Sequence, residues 1–180
     1  MPAERPPPAG ADAALDEGLA SLAARAGALA DGLVAALPGW VVAGVERIYR
    51  AWSGPPPAAL EAAAARAGAA AGDEVGPRLR ALLGADIDRQ SSTPLAVVRA
   101  AVVYPTAVLA GAGVPPVVRD AEAVALFPDD RYGLTPASYE EVGAGLGQLG
   151  LEWGAAKAWV HLRRRPAAAD GRPAAPGGRP

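Results

Sequence analysis

This chain predicts an all-α fold, a compact bundle of several helices, and three observations carry the prediction. Apolar residues recur at steps of three and four over most of the length, as one buried helical face requires. Alanine, the best helix former, supplies much of the 51% hydrophobic content. Aromatic residues make up only 5%, so cohesion has to come from helices that approach closely rather than from large side chains. At 180 residues with 20% charged, the expected organisation is one helical domain over residues 12–165. Its N-terminal helices fall in 12–85 and its C-terminal helices in 93–165. Residues 1–11 and 166–180, rich in proline and glycine, read as disordered tails.

The first helix carries Leu15, Leu19, Leu22, Ala26, Leu29 and Leu33 on one stripe. Pro38-Gly39 is expected to end it, because proline lacks the N–H a helix interior needs. A second helix then resumes with Val41, Val45, Ile48 and Trp52, giving an antiparallel or steeply angled pair. The leucine stripe suits packing within the chain. It also leaves open a homodimer through the N-terminal helices, although fewer than four heptads is short for a coiled-coil seam.

"SGPPPAAL" at 53–60 stops the chain again, with Pro57 suited to the first turn of a third helix. That helix is nearly all alanine, and Gly68 and Gly72 within it each cost about 1 kcal/mol against alanine. They mark either close packing or fraying. A fourth helix over 75–83 shows Leu79, Leu82 and Leu83, followed by a polar link, "GADIDRQSS", at 84–92. Thr93-Pro94 has the chemistry of a helix start: a capping hydroxyl, then proline where its missing N–H does no harm. The segment after it, "LAVVRAAVVYPTAVLAGAG", is apolar almost all round and is expected at the buried centre of the bundle. Pro105 should kink it or split it at Tyr104. "GVPPVVRD" then reads as an extended connector.

The most punctuated stretch is "FPDDRYGLTPASY" at 127–139. Pro128, Asp129 and Asp130 are turn residues, Gly133 permits a left-handed backbone, and Thr135-Pro136 repeats the cap pattern ahead of a short helix bearing Glu140 and Glu141. The competing reading gathers Asp120, Asp129 and Asp130 around a divalent cation. A calcium loop needs ligands at spaced positions and a bidentate glutamate, a spacing this stretch lacks, so the turn reading is preferred and no metal or cofactor is assigned.

The absence of cysteine removes disulfides, thiolate catalysis and cysteine-ligated zinc or iron–sulfur clusters. No N-terminal segment suits a signal peptide, and the apolar run Leu95–Leu109 is short for a membrane span. A cytoplasmic protein with no membrane role is expected. A net charge of −2 gives no overall nucleic-acid signature. Of 17 lysine and arginine residues only Lys157 is lysine, a bias that fits a GC-rich genome. "GAGLGQLG" at 143–150 starts as a dinucleotide-binding fingerprint with Gly143 and Gly145 but carries Gln148 where the third glycine belongs. His161 is the only histidine and has no serine or cysteine nucleophile beside it in sequence, so no catalytic residue is assigned.

Residues 151–165, "LEWGAAKAWVHLRRR", carry the candidate binding site. At 100° per residue Leu151, Ala155, Trp159 and Leu162 form one apolar face, while Trp153, Lys157, His161 and Arg164 gather on another. The second face would suit an anion, with cations for phosphate, Trp153 for stacking on a base and a basic tail of net charge +4 from Arg163 onward. The plainer reading has the cations favouring the helix dipole and Trp153 packing on a neighbouring helix.

Three segments taken together, "PLAVVRAAVVYPTAVLAGAGVPPVVRD", "FPDDRYGLTPASY" and "WGAAKAWVHLRRR", resemble an uncharacterised family of small alanine-rich helical proteins from high-GC actinobacteria. The resemblance covers residues 93–165. It implies a lineage and no activity. The chain departs from that pattern at Ala107 and Ala110, where similar chains carry a charged pair, so a partner bound there need not be shared. The reading as a whole is a non-catalytic helical protein-interaction module with a protein partner. The alternative is a weak anion or nucleic-acid binder using the C-terminal helix, and a carboxylate-dependent enzyme stands third.

Overall fold

A computed structural model describes residues 10–84 and 93–164. Residues 1–9 of the expected N-terminal tail, the expected C-terminal tail and nearly all of the polar link (residues 85–92) therefore lie outside the described residues, while Gly10 and Ala11, expected in the tail, stand at the start of the first helix. Within the described residues the chain is all-α: α1 (Ala11–Ser53), α2 (Ala58–Gly84), α3 (Pro94–Arg99), a 3₁₀ turn (Ala100–Val102), α4 (Val103–Gly111), α5 (Ala121–Leu126), a second 3₁₀ turn (Tyr139–Glu141) and α6 (Leu146–Arg164).

The expected break at Pro38-Gly39 does not occur. Residues 11–53 form one helix with Pro38 inside it, about 65 Å long at 1.5 Å per residue. The reason lies in the stripe: Ala26, Leu29, Leu33, Leu37, Val41 and Val45 are all buried, and they keep their phase straight across the proline. Packing on that stripe offsets the hydrogen bond Pro38 cannot make. The backbone of α2 lies against this point. A Cβ on Gly68 would stand 2.8 Å from the Pro38 carbonyl oxygen, and one on Gly72 would touch the Pro38 ring at 3.7 Å. Gly68 and Gly72 are thus close-packing glycines.

The expected third and fourth helices are likewise one helix, α2, with Pro77 inside it. Its buried line of Leu60, Ala64, Gly68, Ala71, Val75 and Leu79 runs unbroken, and Pro77 lies on the exposed side. α2 runs antiparallel to α1, as Gly68 beside Pro38, Gly76 beside Val34 and the Arg80–Asp31 ion pair at 3.0 Å show.

Thr93 caps α3 as expected, its hydroxyl accepting from the Ala96 amide at 3.3 Å with Pro94 following. The helix does not split at Tyr104, however. Pro105 cannot donate to the Ala101 carbonyl, and the irregularity falls there, as the 3₁₀ turn 100–102, leaving Pro105 buried in the first turns of α4. Nor is the segment buried all round. Val98, Ala101, Val102, Pro105 and Leu109 face the core, while Ala96, Ala100, Val103, Ala107 and Ala110 face outward.

Two core clusters result. One joins Leu29, Leu33 and Leu37 of α1 to Val75 and Leu79 of α2, Val98 of α3, and Leu146 and Trp153 of α6. The other gathers Val45, Leu60, Val102, Leu109, Val114, Tyr132 and Leu134. Trp40 packs against both. Asp12–Ser53 and Pro94–Gly111 are long and apolar enough to cross a membrane by length and composition. Core helices of a folded domain pass the same test, and both helices bury a face here.

Candidate functional site

The polar corner is a structural device. Asp130 is 2% exposed, and its carboxylate accepts from the backbone amides of Tyr132 (3.2 Å), Leu134 (2.8 Å) and Thr135 (2.7 Å). Burial alone would raise its pKa. The amides of Leu134 and Thr135, the Thr135 hydroxyl and the Tyr132 amide outweigh burial and hold it below the usual carboxylate value. The Thr135 hydroxyl acts by proximity, for it is buried without a partner at full hydrogen-bonding geometry. Gly133 takes the left-handed backbone expected of it, φ +69°. Tyr132 is buried and donates to the Val114 carbonyl at 2.8 Å. Arg119 ties the loop from the other side, donating to the carbonyls of Ala123, Phe127 and Asp130. Arg99 reaches over from α3 to the carbonyls of Pro136 (2.9 Å) and Ala137 (3.0 Å).

One expectation for this corner fails. No helix begins at Thr135-Pro136; the next helical turn is the 3₁₀ turn at Tyr139, and Thr135 acts through its amide on Asp130. Glu140 caps α6 instead, accepting from the amides of Gly145 and Gly147 at 3.1 Å each. Asp120 caps α5 through the Ala123 amide at 2.7 Å. Among the described residues no three histidines, cysteines or carboxylates gather where they could hold a metal ion.

α6 is where the two faces seen in the sequence separate. It begins at Leu146, five residues before the expected start. Its inward line is Leu146, Trp153 and Val160, with Leu149 partly buried beside them. Trp153 therefore belongs to the core and is not presented to a ligand. Lys157 sits over its ring, 5.1 Å from the centroid. His161 and Arg164 lie exposed further along the helix. The predicted binding face is thus split, with its stacking residue inside and its cations at the surface.

The other predicted face points to solvent. Leu151 is 71% exposed, Leu162 65% and Trp159 38%, with Ala155 exposed between them. Trp159 lies on α1 at Gly18, where a Cβ would fall inside the space of its ring. Arg163 stacks on the same ring at 5.1 Å.

The partner of α6 along this stretch is α1, running antiparallel. Gly32 faces Leu146 and Leu149, Arg25 pairs with Glu152 at 2.6 Å, and Gly18 holds Trp159. α2 ends alongside Ala23–Ala30 of α1, where its Leu83 and Gly84 share a shallow hollow with them. Towards its N-terminus α1 is accompanied by α6, and before Ala26 the only buried position among the described residues is Gly18. The two helices form an arm. On its outer surface Ala14, Glu17, Gly18, Ser21, Ala156 and Trp159 line a hollow of about 250 Å³. Sequence reasoning missed this hollow; Gly18, placed among leucines and alanines, was its one visible sign.

Comparison of the chain with protein-family models, curated proteins and solved structures found no match.

Proposed function

We propose that this chain is a non-catalytic helical protein-interaction module that docks its partner on the outer surface of the α1–α6 arm. One observation carries the reading. α6 has already filled the core with Leu146, Trp153 and Val160, yet it bears a second apolar line, Leu151, Trp159 and Leu162, that the described residues leave partly or largely exposed. Single exposed leucines are ordinary, but an aligned set with a half-exposed tryptophan beside a hollow is the pattern of a docking surface. Support over the anion-binding reading comes from Trp153, which is packed inside and so not available to stack on a base. Support over an enzyme comes from Asp130, whose carboxylate is committed to three backbone amides.

The test is site-specific photo-crosslinking from position 151 or 162 in a cell extract. Discrete protein adducts should form, persist after nuclease treatment and disappear when glutamate replaces the other leucine of the pair, Leu162→Glu with the probe at 151 or Leu151→Glu with the probe at 162. Adducts that vanish with nuclease would favour the nucleic-acid reading. Adducts insensitive to the glutamates would remove this surface from consideration.

A further inference from the structure

The arm carries two features that meet at Trp159, an apolar line and a hollow, and complementarity within a single chain is what a two-fold interface needs. The protruding feature is the pair of exposed α6 leucines, Leu151 and Leu162. The recessed feature is the hollow between the two helices, lined by Ala14, Glu17, Gly18 and Ser21 of α1 and by Ala156 and Trp159 of α6. Charge divides between the two helices. The first turns of α1 hold Asp12, Asp16 and Glu17, and the helix carries no cation before Arg25. The last described turns of α6 hold Lys157, Arg163 and Arg164 beside His161, and the helix carries no carboxylate after Glu152.

We propose that a second copy of this chain occupies the arm, α6 of each protomer lying along α1 of the other. The inference rests on the interaction-module reading and names its partner. With the two-fold axis parallel to the arm, each acidic end meets a basic one and every neighbouring helix pair is antiparallel. Like helices stacked on each other would instead set acid on acid and base on base, which costs affinity. Leu162 of one copy enters the hollow of the other. Glu17 on the rim of that hollow then meets Arg163 of the incoming helix, twice over by symmetry. Trp159, with Arg163 over its ring, lines that hollow, and tryptophan and arginine are among the residues that most often carry the binding energy of an interface. The second half of the leucine stripe, Ala26, Leu29 and Leu33, takes no part, because it is buried within the protomer.

Sedimentation equilibrium of the full chain over a wide concentration range tests this. The expected result is a reversible monomer–dimer equilibrium. Leu162→Glu should weaken it on the order of a hundredfold or more, because symmetry removes two buried leucines at once. Helicity and melting temperature of the monomer should stay unchanged, since Leu162 is exposed there. Glu17→Arg and Arg163→Glu should each weaken the dimer several-fold, and the two together should restore it. A dimer indifferent to Leu162→Glu, or a double reversal no tighter than either single one, overturns the interface. A chain that is monomeric throughout also overturns it. If that monomer still crosslinks other proteins through position 162, the interaction-module reading survives alone; if it crosslinks nothing, both fall.

Discussion

The corner at residues 127–137 and the arm built from α1 and α6 use their side chains in opposite ways. In the corner the buried carboxylate and phenol are already engaged, Asp130 with three amides and Tyr132 with the Val114 carbonyl, and Arg119 and Arg99 reach in to four of its carbonyls. In the arm the chemistry is bland, leucine, alanine and one tryptophan, but among the described residues Leu151 and Leu162 stand largely exposed. Polar richness here marks a loop that cannot otherwise satisfy its buried backbone. Open apolar surface marks the place where something else can bind. The contrast warns against locating function by side-chain reactivity alone.

Asp130→Ala puts the contrast to its most severe test. It would orphan three amides at a buried site, costing about 3–5 kcal/mol in denaturant unfolding. A loss below about 1 kcal/mol would show that the corner is not structural. The same carboxylate sets a pH dependence. Its pKa is lower in the folded chain than the ordinary 3.8, so its stabilisation is present above that value and is lost as pH falls through the lower folded one. Asp130→Asn should flatten that acid limb. At the other end of the scale Tyr104 is pushed up to about 12, by burial first and then by its hydrogen bond to Glu74 at 2.6 Å. Its contribution is complete below pH 10 and lost as pH rises towards 12, an alkaline limb that Tyr104→Phe should remove.

Next in size is Gly68→Ala in the body of the fold. Its Cβ would press on the Pro38 backbone, and a loss of about 1–3 kcal/mol is expected despite alanine's better propensity. The arm offers a matched pair of smaller effects. Gly27→Ala meets nothing within 4 Å and should stabilise by about 1 kcal/mol. Gly18→Ala drives into the Trp159 ring, so it should gain nothing and expose the indole, seen as a red shift in emission. Equal gains at both positions would mean that Trp159 is not seated on α1. The smallest effect is the most telling: Leu151→Glu or Leu162→Glu should change protomer stability by less than about 0.5 kcal/mol. A large loss would place these leucines inside the fold and not on a docking surface.

Several elements are legible in the sequence alone. The Thr93-Pro94 start, the left-handed Gly133, the turn-forming Asp130 and the apolar grouping of Leu151, Ala155, Trp159 and Leu162 follow from local chemistry and helical spacing, and the folded chain has each of them. The long helices do not follow, because proline's cost is a local quantity whereas the stripe that overrides it is collective. Leu33, Leu37, Val41 and Val45 hold their four-residue step across Pro38, and that continuity is the better signal.

Helicity, the course of the apolar lines and the choice of turning residues are all written in the amino-acid order, since propensity, capping and periodicity act within a few residues. Which apolar line of α6 faces inward is a tertiary matter. Leu146, Trp153 and Val160 lie nearly opposite Leu151, Ala155 and Leu162 on the helix, and a helix with two apolar lines has no inward side that periodicity alone can choose. That choice falls to the partners: α1 receives Leu146 and Leu149 at Gly32 and Trp159 at Gly18. Seating α6 on those glycines turns Leu151 and Leu162 out to water, and with them the surface on which this protein is proposed to pair.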